Sequence, residues 1–151
     1  MRTKLLLLLL LVQSLAYASS PEGLWLSRDE ETGKELVIIK IEKVNGVLQA
    51  RIMQVFKKQG DTGVCLKCPL PFKNKPVANM VFAWGMQPTK EGSWGNGHIL
   101  DPKSGRVYRG KMTLQNDNEL IVRGYLGISI LGRSQVWERY NKPLSNGAKE
   151  T

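Results

Sequence analysis

Eight short runs in which apolar and polar residues alternate constrain this sequence most, and turn-forming residues separate them. Alternation with a period of two is typical of β-strands that bury one face, whereas no segment shows the period of about 3.6 residues that predicts a long helix. The predicted strands cover residues 23–28, 34–44, 47–57, 76–84, 93–100, 106–115, 119–126 and 129–140. The fold class is therefore all-β with little helix.

The turns between these runs are short, which favours strands that pair with their chain neighbours. Asn45-Gly46 separates two alternating runs and predicts a hairpin, because both central residues of such a turn take positive φ. A meander of strands leaves two edges, and closing into an eight-stranded antiparallel up-and-down barrel removes both. A two-sheet sandwich is the alternative. A barrel of this size is either filled by side chains or holds one small ligand.

The N-terminus has the pattern of a cleaved export signal. Arg2 and Lys4 form a basic start, residues 5–12 are an unbroken apolar run, and small residues precede the expected cut after Ala18. The apolar run is far shorter than the roughly 20 residues of a membrane span. We expect a secreted or periplasmic protein whose parts are a signal peptide at 1–18, a barrel domain at 19–140 and a flexible tail at 141–151.

The chain is basic, with a formal net charge of +9 that falls to about +7 without Arg2 and Lys4. An exported basic protein meets lipid head groups, anionic polysaccharide or acidic proteins, and the export signal argues against nucleic acid. Five lysines lie in one stretch and indicate a local patch: Lys57, Lys58, Lys67, Lys73 and Lys75. An acidic envelope component is thus a candidate partner, and membrane contact is expected to be peripheral at most. The alternative is a charge that only keeps the surface soluble.

The first strand opens with Gly23-Leu24-Trp25, and Gly-x-Trp at this place resembles the signature of the lipocalin superfamily. The resemblance implies that the indole of Trp25 plugs the closed end of the barrel. It also implies that a basic residue of the last strand packs across the indole, and Arg139, two residues after Trp137, stands at that place. Gly23, Trp25 and Arg139 are accordingly predicted to be structural.

Three longer strings resemble one exported bacterial family, catalogued only as a domain of unknown function, number 2147. They read ILDPKSG at 99–105, RGYLGIS at 123–129 and LGRSQVW at 131–137. The early Gly-x-Trp, a Thr-Gly-Lys turn at 32–34 and a Cys-x-x-Cys motif fit the same pattern. The resemblance implies a lipocalin-like β-barrel and supplies no established activity.

The motif Cys65-x-x-Cys68 has four interpretations: a structural disulfide, an oxidoreductase pair, half of a metal site, or two uninvolved thiols. Pro69 and Pro71 follow it and remove backbone donors that would stabilise a reactive thiolate. The single histidine, His98, lies about thirty residues away, so no metal site is predicted. We expect a disulfide that stiffens the long connection around it, and no cofactor.

A ligand site is predicted on the seventh strand, where Arg123 and Tyr125 share a face. Cavity-binding barrels of the fatty-acid-binding kind hold a ligand carboxylate with a similar pair. The other predicted ligand-binding residues are Arg133 and Gln135 on the neighbouring strand, Tyr108, and Trp94. A buried arginine is costly unless it is paired, so an inward Arg123 needs a carboxylate from the protein or the ligand. The alternative is an outward Arg123, because Leu120, Val122 and Gly124 share the opposite face.

No catalytic motif is evident, since Ser93, His98 and Asp101 lack the surroundings of a nucleophile elbow. The protein is therefore predicted not to be an enzyme. The predicted function is a lipocalin-like binding protein for a small hydrophobic or amphipathic ligand, with an anionic head as in a fatty acid. The alternatives are an envelope structural or protein-interaction module with a packed barrel and, further off, a thiol-redox protein.

Overall fold

A computed structural model describes residues 19–127 and 132–145, and the predicted signal peptide lies outside them. The described part contains eight strands: β1 (Gly23–Arg28), β2 (Glu35–Val44), β3 (Val47–Val55), β4 (Val81–Lys90), β5 (Ser93–Leu100), β6 (Val107–Asn116), β7 (Glu119–Tyr125) and β8 (Arg133–Arg139). Each strand pairs antiparallel with its chain neighbour, and β1 also pairs with β8, so the sheet closes. The predicted up-and-down barrel is confirmed, because a sandwich would leave those two strands unpaired. No helix among the described residues is long and apolar enough to cross a membrane.

The fourth strand is where the prediction and the structure differ most. The alternation predicts a strand at 76–84, whereas β4 begins five residues later and continues to Lys90. The residues before β4 belong to the preceding connection, in which the amide of Val77 donates to the carbonyl of Gly63. Within β4, Gly85 at a φ of 69° and Pro88 interrupt the alternation without ending the strand. Glycine and proline are both unfavourable inside strands, so the sequence pattern predicts an end before Gly85 and places the strand too early.

The other strands agree with the prediction to within two residues, apart from β8. The predicted start of β8, at 129–131, lies outside the described residues, as does the end of the predicted tail at 146–151. Leu144 of that tail and Tyr140, the last residue of the predicted barrel domain, pack against a small apolar cluster on the outside of the barrel. Leu26, Ile38 and Met53 form this cluster. Burying these side chains removes apolar surface from water and holds the segment in place.

The two ends of the barrel are built differently. Tight turns after β2, β4 and β6 form the end that we call the hairpin end, and Asn45, Gly46 and Gly92 take positive φ there. The opposite end, which we call the loop end, carries the β1–β2 turn at 29–34, the β3–β4 connection, the β5–β6 turn and the connection after β7. Long connections are the usual location of binding residues, so a binding site is expected at the loop end.

A tryptophan and an arginine close the hairpin end. Trp25 is fully buried, its Nε1 donates to the Pro21 carbonyl at 2.8 Å, and the guanidinium of Arg139 lies 4.1 Å from the ring centre. The same guanidinium donates to three backbone carbonyls at 2.7–2.8 Å, those of Ser20, Glu22 and Asp117. Burial lowers the pKa of Arg139, and these carbonyls together with the indole replace the water that the charge loses.

The middle of the barrel is filled by its own side chains. Phe82 of β4 and Trp137 of β8 come from strands on opposite sides of the ring, yet their ring centroids are only 6.0 Å apart. Met86 fills the space beside them and lies so close to Gly97 and Gly110 that a Cβ atom on either glycine would approach its side chain to 2.4 Å or less. A long hydrocarbon chain therefore has no deep central cavity to enter along this line.

The β1–β2 turn depends on one carboxylate. Asp29 accepts hydrogen bonds from the backbone amide and the hydroxyl of Thr32, both at 2.9 Å, and from the Lys58 ammonium at 3.3 Å. These contacts lower the pKa of Asp29 from 3.8 to about 2, and the Thr32 amide has the largest effect. Because folding depresses this pKa, the contribution of Asp29 to stability is complete above pH 3.8 and is lost as the pH falls through about 2.

Replacing Thr32 with valine should raise the pKa of Asp29 part of the way back towards 3.8, since the hydroxyl is lost and the amide remains. An NMR titration of the Asp29 carboxyl carbon measures the shift. Thr62→Val is the control, because the Thr62 hydroxyl donates to the Val64 carbonyl and not to Asp29, and it should leave the Asp29 pKa unchanged. An Asp29 that titrates near 3.8 before the substitution would contradict the hydrogen-bond assignment.

Candidate functional site

The β3–β4 connection folds back over the outside of the barrel. The ring of Phe72 stacks on Trp84 of β4, and Trp84 stacks in turn on His98 of β5, with centroid distances of 5.6 Å in both pairs. Trp84 pairs with His98 across the sheet, next to the pair of Ala83 and Ile99, which points into the barrel. The three stacked rings therefore lie on the outer wall and anchor the connection there.

The central part of this connection, residues 64–76, forms a compact projection that we call the knuckle. A disulfide joins Cys65 to Cys68, and both cysteines are buried. The amide of Cys65 donates to the Lys75 carbonyl, and Cys65 Sγ lies 3.3 Å from the carbonyl oxygen of Pro102 in the β5–β6 turn. Because thiol–disulfide exchange requires a thiolate to reach a sulfur atom, this burial favours a structural disulfide over a redox pair.

Three of the predicted ligand-binding residues meet on the inner face at the loop end. Arg133 and Gln135 alternate with Ser134 along β8 and share the face of the buried Trp137. Tyr108 lies on the face of β6 that carries the buried Met112. Arg133 and Gln135 are exposed and Tyr108 is half-buried, so solvent reaches this part of the inner face. The structure thus brings a guanidinium, an amide and a phenol to one opening.

Apolar residues complete this opening, which we call the mouth. Val37 pairs with Val55 and Ile99 pairs with Tyr108, and all three apolar side chains are partly buried against the main core. The contact between Phe82 and Trp137 crosses the barrel near them, since Phe82 precedes Ala83, the partner of Ile99, and Trp137 and Val37 both pair with Ser27. Val55 and Ile99 are absent from the predicted site. Alternation from Ile52 would place Val55 on the outer face, and a bulge in β3 opposite Ile38 and Ile39 turns it inward. Only the register of the closed sheet places Ile99 on the inner face at the same end as Arg133.

The structure places Arg123 and Tyr125 on the outer wall, which corrects the expectation of an inward pair. Leu120 and Val122 of β7 are buried in the core, so the residues that alternate with them face outward. Arg123 pairs with Lys111 across the sheet and donates a hydrogen bond to the Ser134 hydroxyl at 2.8 Å. The alternative interpretation of β7, with its apolar face inside, is the one that the barrel adopts.

Trp94 also lies away from the mouth. It pairs with Met112 and with Pro88 near the hairpin end, where it is partly buried against the core. The glycines around it produce a bend, with Asn96 at a φ of 59°, but they do not present the indole as an exposed loop residue. Trp94 therefore lies at the opposite end of the barrel from Arg133, and it is not among the residues of the mouth.

The residues considered for catalysis each have a different partner. The Ser93 hydroxyl is buried and donates to the Thr113 hydroxyl, His98 stacks on Trp84, and Asp101 accepts from Ser104. No hydrogen bond links the serine, histidine and aspartate within residues 19–127 and 132–145. The same described residues contain no group of three or more His, Cys, Asp or Glu side chains that could hold a metal ion.

The barrel and its plug define a class before any individual protein. An eight-stranded antiparallel barrel with a Gly-x-Trp strand at its closed end is a lipocalin-like fold. One solved structure is similar: "Protein HP1028 from the human pathogen Helicobacter pylori belongs to the lipocalin family". The TM-score is 0.69 over 81% of this chain and 84% of that chain, at 16% sequence identity, so the likeness is one of fold.

The family model described as "Uncharacterized protein conserved in bacteria (DUF2147)" matches residues 23–139, which span the barrel from the first strand to the last. This protein belongs to that family. No curated protein matches the chain. The family assignment agrees with the resemblance found in the sequence and, since the family is uncharacterised, the function has to be argued from the mouth and the surfaces around it.

Proposed function

We propose that this lipocalin-like barrel binds one small amphipathic molecule with an anionic head at the mouth. The observation that carries the proposal is the convergence of Arg133, Tyr108 and Gln135 on the inner face of the loop end, beside the apolar side chains of Val37 and Ile99. Arg133 supplies the positive charge for a carboxylate, Tyr108 and Gln135 supply neutral donors, and the apolar side chains contact the hydrocarbon part.

The depth of the mouth limits the ligand. The rings of Phe82 and Trp137 meet across the barrel, so a bound hydrocarbon chain cannot pass through its middle. A ligand with a short or medium hydrocarbon part fits this space, and the rest of a longer chain stays in contact with solvent or with the knuckle. Apolar burial contributes about 25 cal/mol per Å² before the cost of association, so shallow binding predicts modest affinity.

We also propose that the protein works outside the cytoplasm. The support is the export signal predicted at residues 1–18 together with the disulfide between Cys65 and Cys68. Disulfides persist in oxidising compartments such as the periplasm and the extracellular space. N-terminal sequencing of the protein recovered from the periplasm or the culture medium tests this localisation, and a first residue of Ser19 is the expected result.

Replacing Arg133 with glutamine should weaken the binding of dodecanoate roughly tenfold, because a charge-assisted hydrogen bond is lost. Binding of dodecanol, which has no charge, should change little. Isothermal titration calorimetry measures both. Arg109→Gln is the matched control, since Arg109 is an exposed arginine on the outer face of β6 next to Tyr108. If the two variants lost equal affinity, or if dodecanoate did not bind to the unaltered protein, the proposed site would be rejected.

The filled centre favours a second candidate function, an envelope interaction module with a packed barrel. The contact between Phe82 and Trp137 supports it, because a packed interior leaves the outer surface to carry function. Co-purification of a partner in stoichiometric amount tests this alternative. Glutamine substitutions in the basic cluster should abolish the co-purification, and this cluster consists of Lys57, Lys58, Lys67, Lys73 and Lys75. Dodecanoate binding should survive those lysine substitutions, because the ligand site lies at the mouth and not in the basic cluster. The two functions can therefore be measured separately.

A further inference from the structure

Two leucines project from the knuckle into solvent. Leu70 is 83% exposed and Leu66 is 55% exposed, although the segment that carries them is firmly built. The disulfide, the hydrogen bonds from the amides of Phe72 and Lys73 to the Pro69 carbonyl, and the stack of Phe72 on Trp84 hold its shape. The leucines are therefore displayed on a rigid, convex support rather than on a loop that could fold them away.

The surroundings of these leucines are basic. Residues 64–76 contain three exposed lysines, Lys67, Lys73 and Lys75, and no aspartate or glutamate. None of the three forms a salt bridge with another described residue. The acidic side chains of the loop end include Glu30 and Glu31 of the β1–β2 turn, which lies across the barrel from the β5–β6 turn that supports the knuckle. The β3–β4 connection and the β5–β6 turn also carry Asp61 and Asp101, but basic residues outnumber these two in both segments, so the loop end is polarised with its cationic side at the knuckle.

We propose that the knuckle docks on the surface of an anionic lipid bilayer. Leu66 and Leu70 enter the interfacial region, and Lys67 and Lys73 contact lipid phosphates. A bilayer accepts convex apolar projections between its head groups, whereas an anionic polysaccharide would attract the lysines and leave the leucines in water. An acidic protein would need a matching hollow for the two leucines.

This docking rests on the proposed function and extends it. The knuckle belongs to the loop end, so docking brings the mouth close to the bilayer, from which an amphipathic ligand can pass without crossing bulk water. The repulsion of Glu30 and Glu31 by anionic lipid tilts the opposite side of the barrel away from the surface. The contact is peripheral, because it uses two side chains and not a membrane-spanning segment.

Flotation with lipid vesicles tests the docking, on the protein that starts at Ser19, since every strand of the barrel lies between Gly23 and Arg139. Binding is expected to vesicles of phosphatidylcholine mixed with phosphatidylglycerol, and little binding to phosphatidylcholine alone. The double variant Leu66→Ser, Leu70→Ser should lose roughly tenfold or more in partitioning, from the loss of apolar insertion. The double variant Lys67→Gln, Lys73→Gln should lose about tenfold, and added salt should reproduce most of that loss.

The matched control is the double variant Lys43→Gln, Val44→Ser. It removes one exposed lysine and one exposed apolar residue, 40% exposed, at the hairpin end. Its vesicle binding should equal that of the unaltered protein, and thermal unfolding should show that all the variants are folded. An equal loss in this control, or no binding of the unaltered protein to the mixed vesicles, would overturn the docking surface.

The same variants separate the docking from the ligand site. Dodecanoate affinity, measured in lipid-free buffer, should be unchanged by Leu66→Ser, Leu70→Ser, because neither leucine belongs to the mouth. A protein that binds dodecanoate but not the mixed vesicles refutes the docking alone. A protein that binds the vesicles through the knuckle but does not bind dodecanoate refutes the ligand site and leaves a membrane-associated module.

Discussion

Replacing Trp25 with alanine is expected to lower the free energy of unfolding by about 4 kcal/mol. The indole is fully buried, and the guanidinium of Arg139 lies 4.1 Å from its ring centre. The substitution leaves a cavity, removes the donor to the Pro21 carbonyl and deprives a partly buried charge of its aromatic partner. These three losses act at one point, where β1, β8 and the N-terminal segment meet.

Urea unfolding followed by circular dichroism measures the change. Trp84→Ala is the matched control, because it removes the same side chain from the outer wall, where it stacks on Phe72 and His98 and stays partly exposed. Water can fill the space left there, so a loss of about 1–2 kcal/mol is expected. If Trp25→Ala and Trp84→Ala were equally stable, the plug would not be the element that holds the barrel closed.

Gly105→Ala should produce the second large effect, a loss of about 3 kcal/mol together with release of the knuckle. A Cβ atom at Gly105 would lie 2.0 Å from the carbonyl oxygen of Lys67 and 3.0 Å from the amide nitrogen of Cys68. Both neighbours are backbone atoms, so no side-chain rotation relieves the overlap. The residue also has a φ of 74°, where any side chain is strained.

Two measurements separate release of the knuckle from general loss of stability. The amides of Cys65 and Asn74 donate to carbonyls within the connection. Gly105→Ala should raise their rates of deuterium exchange more than it raises the rates of the strand amides. Trypsin should also cut the connection more readily at its lysines. Gly33→Ala is the control, because Gly33 has a similar φ of 67° and no atom within 4 Å of the added Cβ. It should cost about 1 kcal/mol and leave the knuckle protected, and an equal effect would contradict the contact with Lys67.

Much of the fold could be predicted from local patterns. The hairpin at Asn45-Gly46 was predictable because a two-residue turn with positive φ permits few other connections. The predicted position of the fourth strand is too early for an equally local reason. Gly85 and Pro88 interrupt the alternation of the sequence, although the strand continues through both and stays paired with β5. The packing of Tyr140 on the barrel was not predictable, because it depends on an outer apolar cluster that exists only after closure.

The candidate site could be predicted only in part. Alternation correctly groups Arg123 with Tyr125 and Arg133 with Gln135, but it assigns no group to the inside of the barrel. On β7 the burial of Leu120 and Val122 decides the matter against Arg123. Similarly, a run of eight strands permits a hollow or a filled barrel, and the choice depends on how large side chains such as Phe82 and Trp137 meet across the ring.

By itself the sequence determined the strand-and-turn order, the antiparallel pairing of neighbouring strands and the family, because each follows from short-range periodicity, turn chemistry or recognisable strings of residues. Closure of the sheet required the pairing of β1 with β8, which join opposite ends of the chain. Only the tertiary structure decided that Arg133 and Tyr108 share one opening, that the centre is occupied, and that the knuckle displays Leu66 and Leu70 on a supported surface. These features join residues far apart in the chain. Their positions depend on sheet register and on packing across the barrel, which no local pattern encodes.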